Sequence, residues 1–557
     1  GQVHAIRAGN GADCTLGGDE VWSFIPPNLL QKMSPVAHNS HASRTTLASH
    51  TYFVDGPTEI ADVWLPSAPS DGTTKAATDW KTIAIFGEGQ GSGSYLWSSS
   101  SSCYSTSTSA GFSATYSATY PYYCGYYALD VTNTVDAAQP GYMWHLGFSD
   151  ATKQAAQAPY LGEAWSKMKV GRVNISGNEQ WVGFIGGGFN NAVCESSDTC
   201  NAADGKGAGK GFFVVDLTTG NILWSFTHGA TATKITNPAM DFSAPAAPLP
   251  VDLDNDGFID TVYMGDMGGN MWRFRLCAKD ATCSASTTWT GSLLYQTTPV
   301  ERGSDLTTPS YSHKQIFTAA TATIDTSGNV WVYFGTGENN DPTVKPTDTD
   351  DTKNRLYGIK EDPNFTATYT TGSLKNITST TFCTAIGTGC TSEQVTIDTT
   401  TKNGWYINLS TNPLTRSDLT TITSPVGEKM ISDPMVFGGV VYFTTHVPDQ
   451  TLPGESSACG KSGDAFLYGI NYLTGSGALT ETGADPVTGA ASRTNYIGHG
   501  IGSAPVLSMR PGGSGITDIY ATASGGAGTS ALTQKLGNAP STASMNNILY
   551  WKDRRLQ

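Results

Sequence analysis

Several features common in other protein classes are missing from this chain, and each absence closes a class of function. There is no basic run, and 32 Lys and Arg stand against 47 Asp and Glu for a net charge of −15. Nucleic acid is therefore excluded as a partner. No apolar stretch approaches the roughly 18 residues that a membrane-crossing helix needs, so no membrane-spanning segment is expected. The nine histidines form no H-E-x-x-H, and the neighbouring His38 and His41 lie in a Ser/Asn-rich loop that they merely solvate. No G-x-S-x-G elbow, Walker loop or R-G-D tripeptide occurs. Gly87–Ser94 (GEGQGSGS) is glycine-rich but precedes a low-complexity loop rather than a helix, which argues against phosphate binding. No signal peptide is visible. Gly1 falls inside what reads as a strand, Gln2–Ile6, which implies sequence upstream.

What is present centres on Val251–Leu276, VDLDNDGFIDTVYMGDMGGNMWRFRL. Its first half reads D-x-D-x-D-G-x-x-D, the opening of a calcium loop. Ca²⁺ takes six to eight oxygens, and alternate side chains of a tightly wound loop can all face one centre. Asp252, Asp254 and Asp256 would supply loop positions 1, 3 and 5. Gly257 permits the sharp turn, Phe258 offers its backbone carbonyl, and Asp260 closes at position 9. The loop is not a complete EF-hand, because Tyr263 stands where a bidentate Glu belongs and no amphipathic helix flanks it. Thr261–Met264 and Met271–Leu276 read instead as strands around the turn Gly265–Gly269. An ordinary Asp-rich turn would account for two or three of these residues. It does not account for four acids in register around one glycine, which would repel one another without a cation.

Hydrophobic residues make up 38% of the chain without glycine, and its 63 Gly bring the total near globular usage. A chain of 557 residues can therefore bury a large core. The ten cysteines are spaced too widely for zinc. An even count in an acidic, Ser/Thr/Gly-rich chain points to disulfides and an oxidising compartment. The expected pairs are Cys194–Cys200, Cys277–Cys283, Cys383–Cys390 and Cys103–Cys124, which leaves Cys14 and Cys459 to pair across the fold.

Short β-branched and aromatic runs punctuated by Gly, Asn, Asp and Pro dominate the pattern. Phe212–Phe226 (FFVVDLTTGNILWSF) is the clearest copy of a recurring hairpin: strand, Asp, T-T-G turn, strand ending in Trp. Tyr126–Thr132 with Tyr142–Leu146, Val262–Phe274, Leu356–Glu361 and Leu467–Gly475 repeat it loosely. Tyr52–Trp64, Val330–Gly337, Val440–Thr445 and Asp518–Ala523 add strands, and Asn28–Met33 carries the best helical signal. Such hairpins describe the blades of an all-β propeller, each burying its faces against its neighbours. About seven blades fit the length once insertions are removed. A β-sandwich array is the competing fold, but it leaves the recurring hairpin unexplained. Ser98–Ser109, Val193–Lys210, Pro342–Asn354 and Gln394–Lys402 read as loops. Asp348, Asp350 and Asp351 form a solvated acidic loop with no glycine turn to organise an ion. Sequons at Asn174, Asn364, Asn376 and Asn408 matter only in a host that glycosylates.

Several stretches together resemble the C-terminal propeller of the PilY/PilC type IV pilus biogenesis and tip-adhesin family. They are Gly17–Leu30, Tyr52–Trp64, Gly125–Thr132, Gly209–Gly220, Pro250–Phe274, Val332–Gly337, Ile431–Pro448 and Ile548–Arg555, and they span nearly the whole chain in order. The resemblance implies one modified propeller over residues 1–557 with a single Ca²⁺ site. Its ligands would fall on Asp252, Asp254, Asp256, the Phe258 carbonyl and Asp260, the third being an acid where the family also shows Asn. It implies a secreted, non-enzymatic protein at the outer membrane, periplasm and pilus tip. There it would act with minor pilins in adhesion to host or abiotic surfaces and in twitching motility. Calcium would set the balance of pilus extension and retraction. The family's N-terminal region, often von Willebrand A-like, is absent from this sequence.

Two other readings remain. A propeller quinoprotein dehydrogenase would share the Asp/Gly/Trp hairpins and the use of Ca²⁺. Those enzymes resemble one another in a vicinal Cys-Cys, however, and no two cysteines here are adjacent. An integrin-like propeller would repeat the D-x-D-x-D-G loop, which occurs once here.

Overall fold

The fold is taken from a computed structural model. It describes residues 2–8, 17–33, 52–66, 75–93, 125–133, 140–147, 160–190, 207–228, 235–236, 240–276, 288–298, 301, 314–339, 352–378, 402–416, 420–448, 463–475, 477–479, 493–509, 517–524 and 533–535. Those residues are almost entirely strand, turn and bend. The expected helix near Asn28 is a short 3₁₀ segment, Pro27–Lys32, which Pro27 opens because its fixed φ suits a first turn.

The chain divides into two compact units. The first comprises Gly1–Pro250, Asp254–Val262 and Phe274–Gly291, and the second comprises Val251–Leu253, Tyr263–Arg273 and Ser292–Gln557. In the first unit, Thr58–Trp64, Trp80–Gly87, Gly125–Asp130 and Gly141–Gly147 pair in sequence order as an antiparallel sheet. Lys169–Ile175, Asn178–Gly186, Gly211–Asp216 and Ile222–Thr227 form a second, which Ile235–Thr236 extends in parallel. In the second unit, Thr321–Ile324, Val330–Gly335, Arg355–Lys360 and Gly404–Asn408 pair antiparallel, with Lys375–Asn376 parallel at the edge. Another sheet is built on Val440–Val447, Asp464–Asn471 and Thr494–His499, and a three-stranded one on Val506–Met509, Thr517–Tyr520 and Thr533–Lys535. The sheet of Leu249–Val251, Thr261–Gly265, Met271–Arg275 and Thr290–Tyr295 contributes residues to both units.

The central strands read as continuous apolar runs because they are covered on both faces. Val330–Gly335 and Thr261–Gly265 are buried at every position. Flat rings do most of the filling. Phe212 stacks on Phe274 with centroids 4.0 Å apart, and Trp224 meets Trp289 edge-on at 5.8 Å. Contacts of this kind add about 0.5–1.5 kcal/mol beyond their buried area. In the second unit Trp331, Tyr333 and Trp405 pack with Phe443, Phe466 and Tyr468.

The recurring hairpin has a physical basis. In DMGGNMW (266–272), Asp266 accepts the N–H of Gly268 at 2.8 Å and of Asn270 at 3.0 Å, and the indole N–H of Trp272 at 2.8 Å. DTSGNVW (325–331) repeats this, with Asp325 accepting from Ser327, Asn329 and the Trp331 indole. Asp216 and Asn471 hold the shorter T-G versions through Thr218 and through Leu473 with Thr474. Each turn ends on a glycine with positive φ: Gly269 (79°), Gly328 (84°), Gly220 (72°) and Gly475 (70°). In the two D-x-x-G-N-x-W copies the acid thus closes the turn and also fixes the Trp of the returning strand.

A candidate cation loop on the edge of a sheet

Residues 252–260 leave the strand Leu249–Val251 and enter Thr261–Gly265. Two left-handed residues make the tight winding possible: Asn255 at φ 62° and Gly257 at φ 91°. Asx turns shape the rest. The N–H of Asp256 donates to Asp254 Oδ1 at 3.2 Å, and that of Phe258 donates to Asp256 Oδ1 at 2.8 Å. The loop closes where Leu276 N–H donates to the carbonyl of Asp260 at 2.8 Å.

This winding brings together three of the acids. One carboxylate oxygen each of Asp252, Asp254 and Asp260 lies within 4.8 Å of the others. Ca²⁺–oxygen distances of 2.3–2.6 Å place ligand oxygens at most about 5 Å apart, so this spacing fits one shared ion. Asp260 is buried, Asp252 and Asp254 are half-buried, and Asp256 is exposed. Asp256 stands outside the convergent group and instead caps the Phe258 amide. Three carboxylates around one point, one of them inside the protein, are an oxygen-donor set for a hard divalent cation.

The loop is fastened to the edge strand Lys169–Ile175. The N–H of Ile259 donates to the carbonyl of Arg172 at 2.8 Å, and Arg172 Nε donates to the carbonyl of Gly257 at 3.1 Å. The guanidinium also lies 5.1 Å from the Phe258 ring centroid. Its other neighbours are the Trp181 ring at 5.8 Å and Glu179, 3.6 Å from Nη1. Nothing in the local pattern announces Arg172, which lies 85 residues before Gly257.

Residues 123–385 match the family model of the PilY1 beta-propeller domain. That matched stretch carries a PilY1-type β-propeller domain. A type IV pilus biogenesis factor PilY1 homolog of Xylella fastidiosa is 23% identical over 459 residues, covering 81% of this chain and 24% of the relative. The type IV pilus biogenesis factor PilY1 of Pseudomonas aeruginosa is 24% identical over 486 residues, covering 82% of this chain and 33% of the relative. The chain therefore spans about a quarter to a third of the length of these relatives. The crystal structure of the P. aeruginosa PilY1 C-terminal domain superimposes with a TM-score of 0.55 at 20% identity, covering 93% of this chain and 90% of that one. That likeness is one of fold.

Within this PilY1-type propeller, five sheets of four or five strands and one of three lie among the described residues. The expected count of about seven blades is not reached by these alone. All ten cysteines fall outside the described residues, and so do His38, His41, Asp348, Asp350 and Asp351. The run 87–93 is explained by close packing. A Cβ at Gly87 would stand 2.3 Å from the carbonyl oxygen of Ala164, and one at Gly91 would stand 1.7 Å from that of Phe53. Asn408 is a buried sequon residue whose Oδ1 accepts Arg355 Nε at 2.6 Å, which removes it as a glycan acceptor.

Sequence reading also missed the buried ionic groups of the second unit. Arg273 Nη1 meets Glu361 at 2.6 Å, with the Tyr263 hydroxyl donating to the same carboxylate at 3.0 Å. Arg355 pairs with Glu301 beside Tyr295 and Thr371. Glu428 is enclosed by the hydroxyls of Tyr468 and Thr445 and the Ser410 amide, and burial raises its pKa. Their partners lie tens of residues away in sequence, beyond the reach of any local pattern.

Proposed function

We propose that this chain is a calcium-binding, non-enzymatic module of type IV pilus assembly, a single propeller domain over residues 1–557. PilY1 homology supports a pilus-related role and is consistent with a cell-surface or periplasmic location. Among the described residues no helix is long and apolar enough to cross a membrane. The observation that carries the calcium reading is the convergence of Asp252, Asp254 and Asp260 within 4.8 Å. Asp256, through its second oxygen, and the Phe258 carbonyl complete the proposed ligand set. A bound ion would supply positive charge that neutralises these acids and fixes one arrangement of the 252–274 hairpin, hence of the surface around it. On this reading the module works with minor pilins at the pilus tip, in attachment to host or abiotic surfaces and in twitching motility. Ion occupancy would favour extension, and release would favour retraction.

The test is a pair of thermal melts, with calcium and with chelator, on wild type and Asp260→Ala. At a free-ion concentration 100 times the Kd, the folded state gains roughly 2.7 kcal/mol. Wild type should melt higher with calcium, and the variant should melt at one temperature under both conditions. Coincident wild-type melts would remove the calcium reading. Recovery of pilus-tip proteins with the calcium-loaded chain but not with the Asp260→Ala chain is the expected result of a pull-down.

A further inference from the structure

The acidic loop is held by a residue outside it. Arg172 contributes a backbone carbonyl to Ile259 N–H at 2.8 Å and its Nε to the Gly257 carbonyl at 3.1 Å. A Cβ at Gly257 would stand only 2.2 Å from Arg172 Nη2, so the guanidinium packs closely against the one loop residue that has no side chain. Its far side is braced by Glu179, which also takes the Trp181 indole N–H at 3.0 Å and Lys75 Nζ at 2.8 Å. The guanidinium is thus held on two sides, and its planar fork is the geometry that lysine cannot reproduce.

We propose that Arg172 is a positioning residue for the cation loop: it fixes the Gly257–Phe258 peptide so that the Phe258 carbonyl and the acids on either side are set before an ion arrives. This rests on the calcium reading above. A residue that only added positive charge beside the acids would oppose a cation, and its removal would tighten binding. A residue that orders the loop does the opposite. Without it the loop must lose its freedom on binding, which weakens affinity.

The experiment is calorimetric titration with CaCl₂ of chelator-stripped wild type, Arg172→Met and Arg172→Lys, with thermal melts of each protein in chelator. The expected result is that both variants bind about tenfold more weakly than wild type, the loss of one hydrogen bond from a charged donor. Their calcium-free melting temperatures should stay close to wild type. Lysine should not rescue, because it keeps the charge but not the fork. Equal or tighter binding by Arg172→Met overturns the proposal, as does wild-type affinity in Arg172→Lys, which would assign the effect to charge. A fall in calcium-free stability with unchanged affinity also overturns it, leaving Arg172 a structural residue only. If wild type itself binds no calcium, the parent reading fails as well. That outcome is distinct from three proteins that bind alike, in which only this inference falls.

Discussion

The convergence of Asp252, Asp254 and Asp260 was legible because a tightly wound acidic loop is a local device. Its spacing sets which side chains can face one centre, and no distant residue is needed to see it. The fine division among them was not legible. Asp256 turns to its own backbone through the Phe258 amide, an option open to any Asp two residues before an amide. A second residue-scale consequence concerns His446. It is buried, its Nδ1 donates to the Gly500 carbonyl at 3.0 Å, and burial together with nearby Lys429 holds its pKa below the ordinary value of about 6.5. The unfolded chain then binds the proton more readily than the folded one. His446 therefore contributes stability that is present above pH 6.5 and lost as pH falls from there toward its folded pKa. Urea midpoints of wild type should drop between pH 7.5 and pH 5.5, and those of His446→Asn, whose amide can still donate to Gly500, should drop less. Parallel losses in the two proteins would show that His446 is not the group responsible.

The hairpin is the element the sequence displayed most openly, since Asp, Gly, Asn and Trp fall within seven residues of one another and act together. The D-x-x-G-N-x-W copy at 325–331 is less visible in the sequence, because Ser327 stands where the 266–272 copy has a glycine, while the bonding of Asp325 stays the same. Removing the acid tests its role. Asp266 is fully buried, and Asp266→Ala strands the Trp272 indole and the Asn270 amide. A loss of about 3 kcal/mol is expected from two buried donors left without partners. Asp325 is half-buried, so water can replace part of what Asp325→Ala removes, and about 1 kcal/mol is expected there. Urea denaturation of the two variants checks the order, and equal losses would contradict it. Although partial burial works against it, Asp325 is held below the ordinary carboxylate pKa by Asn329, Trp331 and Ser327. Its contribution is accordingly present above about pH 4 and lost as pH falls through the folded pKa.

For the whole molecule, composition and periodicity announced an all-β chain, and the PilY1-type propeller bears that out. Boundaries and registers follow from which faces meet, which one chain does not reveal in its own order. Pairs such as Arg273 with Glu361 or Arg355 with Glu301 join residues 88 and 54 positions apart. The sequence shows each of these charges without its partner. On the proposed function, one divalent ion is held by the loop at 252–260 and orders the hairpin around it. Calcium titration of chelator-stripped protein, wild type beside Asp252→Ala, tests it most directly. One calcium per chain for wild type and none for Asp252→Ala is the predicted result, whereas a wild type that takes up no calcium, or a variant that titrates identically, would contradict it.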